Sequence, residues 1–516
     1  MASRTSNMLH NARVALVFYC VNLAIQFFSR KIFLDYLGSE ILGLNTTAQN
    51  LLGFLNIAEL GIGAAVGYCL YKPLYEKDWR TINNIVSVQG WLYRRVAWIV
   101  IVGAAVLMCF FPMIFAKAQV PLWYTYGSFI ALLTSALLGY FINYKQIVLS
   151  ADQKEYKVTI CTQSVKLLKI ILQLSAIMLL PHGYVWWMVL EMVMAIVTSV
   201  FLSLTIKKEY PWLHAKVSTG AKIRKRYPEI IIKTKQLFFH KTGSFVLSQT
   251  SPIIIYAYAS LTLVAIYGNY MLLVTGMTAL MNAMMNGIMA SVGNLVAEGD
   301  KRRIKEAFWE LTTLRMWLSS ALSFALFTLG TPMVSLWVGK EYTLPTLPFA
   351  LMTLLAYIGM ARSNDFFLNA YGLFQDIWAP MTEAGLNLGL SIILGYFFGL
   401  PGILCGVLIS QLIIICGWKP YFLYRDGFHD HFTEYIKGRA KLTAIFLVSF
   451  LCTTKLGNTI ADFAIDDFVS LAIYGFILLA CYILLSGILL YLFSPSTKII
   501  VKKIHIKVMK TYHTHE

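Results

Sequence analysis

The sequence predicts an all-α, polytopic membrane protein with about fourteen transmembrane helices, and three observations carry this prediction. Of the 516 residues, 58% are hydrophobic and only 13% are charged, and the mean hydropathy is +0.66. A soluble domain is closer to a quarter charged. The apolar residues fall in runs of about 20, the length that crosses a bilayer as a helix. Lysine and arginine concentrate in alternate connections between these runs.

Breaking the apolar runs at charges, glycines and prolines places fourteen spans along the chain. Their predicted limits are 13–34, 44–71, 95–116, 122–144, 156–180, 184–206, 238–260, 264–296, 316–337, 346–368, 380–400, 402–424, 440–457 and 467–493. The second and eighth segments are longer than a straight crossing needs. We therefore expect them to be tilted helices or helices that continue into water.

The connections between spans differ in charge on the two sides of the membrane. Basic residues stand at both termini and in even-numbered connections, above all in segment 207–241, whereas the odd-numbered connections offer essentially Lys117, Lys340 and Lys455. The positive-inside rule then places both termini in the cytoplasm and requires an even number of spans. For the same reason, the net charge of +18 indicates topology and contact with anionic lipid headgroups, not nucleic-acid binding.

An internal repeat divides the chain into two halves. A shift of 222 residues overlays residues 29–82 on residues 251–304 without a gap, and the sequence EKDWRTI at 76–82 meets EGDKRRI at 298–304. Six spans separate the copies, so the copies share one orientation, as in transporters built from parallel repeats. We therefore expect two six-helix lobes followed by two additional C-terminal helices.

The repeat predicts the domain organisation as well. The predicted segments are an N-terminal lobe at 1–206, a basic cytoplasmic connection at 207–237, a C-terminal lobe at 238–424, and spans 13 and 14 with a cytoplasmic tail at 425–516.

Three stretches resemble Wzx-type flippases of O-antigen and capsule biosynthesis, a branch of the multidrug/oligosaccharidyl-lipid/polysaccharide exporter superfamily. They are FFSRKIFLDYLG at 27–38, GLNTTAQNLLGFLNIAELGIGAAVGYCLYKPLYEKD at 43–78, and AIYGNYMLLVTGMTALMNAMMNGIMASVGNLVAEGD at 265–300. The resemblance implies two lobes around a cavity that opens alternately to the two sides of the membrane. The implied cargo is an undecaprenyl-pyrophosphate-linked oligosaccharide, carried from the cytoplasmic to the outer leaflet of a bacterial inner membrane.

The resemblance extends to one residue pair of the related lipid II flippases. Those proteins carry a Ser-Arg pair in helix 1 whose arginine lies in a cationic cavity, and Ser29-Arg30 matches this pair. A further arginine of that helix has no counterpart here, since Asp35 follows instead. This departure argues against a peptidoglycan precursor as cargo. Membrane lipids are expected partners, and an association with polysaccharide polymerase machinery is a further expectation.

Placing a basic side chain inside a membrane span costs free energy, so basic residues found there are candidates for a functional role. Lys166 and Lys169 lie ten and thirteen residues beyond the start of span 5, and their spacing places both on one helical face. Arg30 and Lys31 lie in the outer part of span 1. We predict that these four residues line a cationic, substrate-binding cavity, where a pyrophosphate would supply the counter-charge. For the lysines of span 5, interfacial anchoring is the alternative.

Acidic residues inside spans are rarer. Glu59 in span 2 and Glu191 in span 6 are candidates for pairing with a cavity cation or for carrying a coupling proton, with a structural hydrogen bond as the alternative. Asp365 and Glu383 lie near the cytoplasmic ends of spans 10 and 11, where they are candidates for gating contacts. Arg315 is predicted to begin span 9 at the cytoplasmic face as a topology signal.

The sequence predicts no catalytic residue, no metal site and no cofactor. It contains no nucleophile triad, P-loop or metal cluster, although His505, His513 and His515 of the tail could bind a metal if they were not part of a disordered end. A membrane-embedded glycan polymerase or ligase would need a large outer loop, and the outer connections are short. A multidrug antiporter of the same superfamily remains the main alternative, usually with twelve spans and an acidic cavity.

Overall fold

The fold is helical throughout the described part of the chain, which contains no β-strand. The computed structural model describes the backbone of residues 2–59, 61–285, 292–293, 295–296, 298–373, 375–376, 378–459 and 466–502. Side chains are described in the same ranges except at 2–9, 12, 16, 20, 58, 64, 233, 236–237, 239–250 and 458–459. The predicted all-α class is confirmed.

The main helices are labelled α1 to α14 in chain order. They are α1 (Ala2–Leu55), α2 (Ile62–Glu76), α3 (Trp79–Cys109), α4 (Leu122–Phe141), α5 (Glu155–Leu179), α6 (Gly183–Glu209), α7 (Pro228–Tyr258), α8 (Leu261–Met285), α9 (Lys301–Val338), α10 (Thr346–Met360), α11 (Asn364–Ala370), α12 (Trp378–Gln411), α13 (Phe432–Thr459) and α14 (Phe468–Phe493). After α12 the helix continues to Phe428 with two π-helical stretches.

Eleven helical segments of the described chain are long and apolar enough to cross a membrane. Two of them, 13–55 and 378–428, contain a sharp kink at Gly38 and Gly399, where the backbone leaves helical geometry. Gly38 has φ +81°, a conformation that favours glycine because it has no Cβ. Segment 378–428 therefore holds two successive spans, segment 13–55 holds the first span and the beginning of the second, and α7 is a further long helix. The protein is a multi-pass membrane protein, as predicted.

The two halves share backbone detail at the predicted offset of 222 residues. The kink at Gly38 corresponds to the break between α7 and α8 at Ala259 and Ser260. Lys77 and Gly299 both have positive φ, at 56° and 79°. The next residues, Asp78 and Asp300, cap α3 and α9 by accepting backbone N–H groups of the first turn. The same chain reversal and the same cap thus occur in both copies, as an internal repeat requires.

The second predicted span, 44–71, is interrupted, which corrects the expectation of one long helix. The helix from Gly38 ends at Leu55, a 3₁₀ turn covers Asn56–Glu59, and α2 begins after Gly61. Span 10 is interrupted too, because α10 ends at Met360 and α11 begins at Asn364. Breaks at membrane depth free backbone groups that need partners from neighbouring helices or a polar cavity.

The chain forms two compact units, Met1–Ala265 and Ile266–Glu516. In the first unit, α5 packs against α1 and α6, α4 packs against α6, and α2 packs against α3 and α7. In the second unit, α9 packs against α10, α13 and α14, and α10 packs against α12. The finer division at 206, 237 and 424 stays a prediction.

Candidate functional site

Lys169 of α5 forms an ion pair with Glu191 of α6. The Lys169 ammonium lies 2.7 Å from Glu191 Oε1, and the carboxylate is buried at 6% exposure. One turn further along α5, Gln173 Nε2 donates to Glu191 Oε2 and to the Trp187 carbonyl, each at 3.1 Å. The carboxylate therefore has partners on both oxygens, and its charge balances that of Lys169. Two of the predicted site residues, a cation and an acid, are brought together here.

Lys166 has different surroundings from Lys169, although both were predicted to share a face. Lys166 is half-buried and forms no ion pair within the described part of the chain. One turn before it, Gln163 Oε1 accepts a hydrogen bond from Asn22 Nδ2 of α1 at 3.0 Å. The buried Asn22 Oδ1 has no hydrogen-bond partner. Among the described residues, Lys166 therefore has no acidic partner, and it lies one helical turn from a polar contact between α1 and α5.

The two cations of α1 face different surroundings. Arg30 is half-buried, and its Nη2 donates to the carbonyl of Ala265 at 2.8 Å, near the start of α8. Lys31 is exposed. The structure thus fixes Arg30 to the backbone at the start of α8.

Glu59 lies at the break in the second span and opens onto a polar cavity of about 310 Å³. Tyr93 of α3 donates its hydroxyl to Glu59 Oε1 at 3.0 Å, and Tyr140 of α4 donates to Asn56 Oδ1 at 2.8 Å. The cavity is lined by Asn56, Glu59, Gly63, Gln89, Tyr93, Ser135, Ala136, Gly139, Tyr140, Tyr144, Gln146, Ile147 and Ser150. A carboxylate surrounded by neutral oxygens and hydroxyls can hold a proton or a small cation.

The two acidic candidates of the second unit differ in burial. Asp365 pairs with Arg362, whose Nε lies 2.8 Å from Oδ2, and both side chains are about one-third exposed. Glu383 is buried at 7% exposure, and no ion pair to it occurs within the described residues. Within the described residues, no hydrogen bond links Asp365 to Glu383. Their predicted role in gating stays a prediction.

Arg315 corrects the prediction of a topology signal at the start of a helix. The helix α9 begins fourteen residues earlier, at Lys301, and Arg315 is buried at 7% exposure. Its Nε donates to the carbonyl of Met360 at 2.7 Å, and its guanidinium lies 4.8 Å from the centroid of the Phe366 ring. Arg315 therefore caps the broken end of α10 with a charge-assisted hydrogen bond.

The second unit contains an apolar cavity of about 340 Å³ between α9, α10, α13 and α14. It is lined by Ser320, Ser323, Phe327, Ala350, Thr353, Leu354, Tyr357, Thr443, Phe446, Leu447, Phe450 and Tyr482. The side-chain oxygens of Ser323 and Tyr357 are buried and have no hydrogen-bond partner within the described chain. The cavity accommodates a hydrocarbon chain and offers a few hydroxyl groups to a polar atom.

Sequence reasoning missed the partners of Glu59 and the role of Gln173. Gln89, Tyr93 and Tyr140 are single polar or amphipathic residues in otherwise apolar helices, and only the packing of α3 and α4 brings them to Glu59. Gln173 could have been found, since it lies one helical turn after Lys169. No group of three or more His, Cys, Asp or Glu side chains suited to a metal occurs in the described chain. The tail histidines lie outside the described residues.

Comparisons with known proteins find similar folds among solved structures. No protein-family model and no curated protein sequence matches the chain. A structure of the lipid II flippase MurJ in an inward closed conformation has a TM-score of 0.61 at 13% identity, with 92% of this chain and 98% of that chain covered. An inward-facing multidrug resistance transporter of the MATE family has a TM-score of 0.58 at 15% identity, with 82% and 95% covered. The chain therefore has a fold similar to the folds of these two proteins.

Proposed function

We propose that the protein is a flippase that moves an undecaprenyl-pyrophosphate-linked oligosaccharide from the cytoplasmic to the outer leaflet of a bacterial inner membrane, for surface polysaccharide assembly. Both termini would lie in the cytoplasm, in keeping with the positive-inside rule. The single observation that carries the proposal is the half-buried Lys166, which forms no ion pair within the described residues, in a fold similar to that of a lipid II flippase.

A lysine of the first unit can bind a phosphate group only if an acidic side chain does not already balance its charge. The ion pair with Glu191 occupies Lys169, so Lys169 is not available as a second phosphate ligand without breaking that pair. Lys166 is half-buried and forms no ion pair within the described residues, and an anionic ligand would offset the cost of burying its charge. A pyrophosphate offers two adjacent anionic groups, and Lys166 would bind one of them as a point charge. Arg30 would add a second cation along α1.

The tail of the cargo needs an apolar path. Half of the residues that line the cavity between α9, α10, α13 and α14 are Phe, Leu or Ala, the other half are Ser, Thr or Tyr, and the cavity has the volume to hold several isoprene units. A polyprenyl chain would stay in contact with such a surface or with the surrounding lipid while its sugar crosses.

A multidrug antiporter is the second candidate, and the likeness to a MATE transporter favours it. Such a transporter binds cationic drugs and needs a free acidic group in its cavity. In the first unit, Glu191 is already paired with Lys169. Lys166, which forms no ion pair within the described residues, would repel a cationic drug. The charge balance around α5 therefore favours an anionic cargo.

The test is deletion of the gene, followed by extraction of polyprenyl-linked glycans and their assignment to a leaflet with an impermeant reagent. We expect a completed repeat unit to accumulate on the cytoplasmic leaflet. Lys166→Met should fail to complement, whereas the matched control Lys208→Met, at the exposed end of α6, should restore export. Normal glycan distribution together with drug sensitivity in the deletion strain would contradict the proposal and support the antiporter.

A further inference from the structure

The cavity at Glu59 combines a single negative charge with a set of neutral oxygen ligands. Among its lining residues, all in the described part of the chain, Glu59 is the one charged side chain. Asn56 Oδ1 and Glu59 Oε1 each accept one tyrosine hydroxyl, from Tyr140 and Tyr93, and keep further lone pairs. The two tyrosine rings lie side by side, with centroids 5.8 Å apart. Oxygen ligands of this kind suit hard cations and not thiophilic metals.

A second, independent feature points to a ligand in this cavity. Gln89 is 1% exposed and lines the cavity, and its Oε1 has no hydrogen-bond partner among the residues that the structure describes. A buried carbonyl oxygen without a partner costs about 1–3 kcal/mol. The Glu59 carboxylate, which lines the same cavity, has no proton to donate to this amide oxygen when it is ionised. A cation bound between the two oxygens would satisfy both.

The backbone supplies a third feature. The cavity lies where the second span is broken, between Leu55 and Ile62, and Gly61 has φ +95°. A helix that ends inside the membrane leaves the carbonyl groups of its last turn without intrahelical partners. In transporters, unwound backbone of this kind coordinates coupling ions. The break, the carboxylate and the orphaned amide oxygen therefore converge on one place.

We propose that this cavity is a binding site for one Na⁺ ion, held by the Glu59 carboxylate, the side-chain oxygens of Asn56 and Gln89, and the tyrosine hydroxyls of Tyr93 and Tyr140. One monovalent cation balances the single carboxylate, and a cavity of about 310 Å³ leaves room for water ligands. The ion ties the broken second span to α3 and α4. A role of the bound Na⁺ in driving cargo movement rests on the proposed transport function. The binding of Na⁺ to this cavity does not.

The experiment measures the unfolding temperature of the purified, full-length protein in detergent against Na⁺ concentration, with choline chloride holding the ionic strength constant. No cargo is present, so the result is independent of the flippase test. A ligand that binds the folded state raises the unfolding temperature saturably. We expect this rise with Na⁺ for the wild type. Glu59→Gln should abolish it, and Tyr93→Phe, which removes one ligating hydroxyl together with its hydrogen bond to the Glu59 carboxylate, should weaken Na⁺ affinity at least about tenfold.

Two controls keep the result interpretable. Glu306→Gln changes an exposed carboxylate of α9 that pairs with Arg302, and it should leave the Na⁺ response unchanged. If Glu59→Gln does not fold, Gln89→Leu provides a neutral variant of the same cavity, with the response expected to weaken. An unfolding temperature of the wild type that is the same in Na⁺ and choline would overturn the proposal. So would a wild-type Na⁺ affinity in Glu59→Gln, or stabilisation of the wild type by lowered pH without any effect of Na⁺, which would assign the carboxylate to a proton.

Discussion

The two units of the protein bury different chemistry in cavities of similar size. In the first unit, a carboxylate, amides and tyrosine hydroxyls line a cavity of about 310 Å³. The same unit contains the Lys169–Glu191 ion pair and the half-buried Lys166. The second unit surrounds about 340 Å³ with apolar side chains and a few hydroxyls. The first cavity lies at the break in the second span, inside the first copy of the repeat. The second cavity is lined by residues of α13 and α14, which follow the repeat, as well as by residues of α9 and α10. The two cavities therefore differ both in their lining chemistry and in the helices that form them.

The largest expected effect concerns the ion pair of the first unit. Lys169→Met leaves the Glu191 carboxylate buried without its cation, and breaking a buried pair in this way costs about 3–5 kcal/mol. The double variant Lys169→Met with Glu191→Met removes both charges and should recover most of the stability. Thermal unfolding of the purified variants in detergent measures the difference. Equal stability of Lys169→Met and the wild type would show that the ion pair does not stabilise the packing of α5 against α6.

A second prediction compares corresponding loops of the two units, where the repeat aligns Lys154 with Asp376. Lys154 pairs with Asp152 at 2.8 Å, and its side chain is 27% exposed. Asp376 pairs with Lys419 at 2.8 Å, and the two side chains are 7% and 17% exposed. We expect Asp376→Asn to cost about 3 kcal/mol, because it leaves a buried ammonium unpaired. Lys154→Met should cost at most about 1 kcal/mol, as for a pair near water.

The loop of the first unit should also respond to pH. Burial alone would lower the pKa of Lys154, but hydrogen bonds to Asp152 and Glu209 outweigh it and raise the pKa above its usual range. The resulting stabilisation is fully present below the unfolded-state pKa of lysine and is lost as pH rises through the higher folded-state pKa. Unfolding temperatures of the wild type and Lys154→Met should therefore converge in strongly alkaline buffer. A constant difference between them across this range would contradict the assignment.

A third prediction tests the close approach of helices in the first unit. A Cβ added at Gly43 would lie 2.0 Å from the carbonyl oxygen of Leu261, so α1 and the start of α8 would have to separate. We expect Gly43→Ala to destabilise the protein by about 1–3 kcal/mol, as overpacking does. Gly139 of α4 has open space around its added Cβ and is the matched control, with no loss expected. A harmless Gly43→Ala would indicate that the contact is loose.

The sequence predicts the spans and the repeat because both depend on local pattern. Runs of about 20 apolar residues and the shared acidic cap at Asp78 and Asp300 are visible without a structure. The break at 56–61 is not, because no proline or charge cluster interrupts this apolar run except Glu59 itself. The partners of Glu59 and Lys169 come from other helices, and only tertiary packing decides them. The same holds for Arg315, whose carbonyl partner belongs to α10.

The smallest expected effect compares the two caps. Asp78 accepts the backbone N–H of Thr81, and Asp300 accepts those of Arg302 and Arg303. The hydrogen bonds from Thr81 lower the pKa of Asp78, so its stabilisation is present above the unfolded-state pKa and is lost as pH falls through the lower folded-state value. Asp78→Ala and Asp300→Ala should each cause a small, similar loss of thermal stability. A large loss in only one variant would weaken the structural equivalence of the halves.

The most direct test of the central claim is reconstitution of the purified protein into liposomes that contain a polyprenyl-pyrophosphate-linked oligosaccharide. An impermeant glycan-modifying reagent then reports the fraction of sugar on the outer surface over time. We predict protein-dependent exchange between leaflets in the wild type and in Lys208→Met, and little exchange in Lys166→Met. Equal accessibility with and without wild-type protein, in vesicles where the protein exports a cationic drug, would contradict the flippase and the assignment of Lys166 to an anionic cargo.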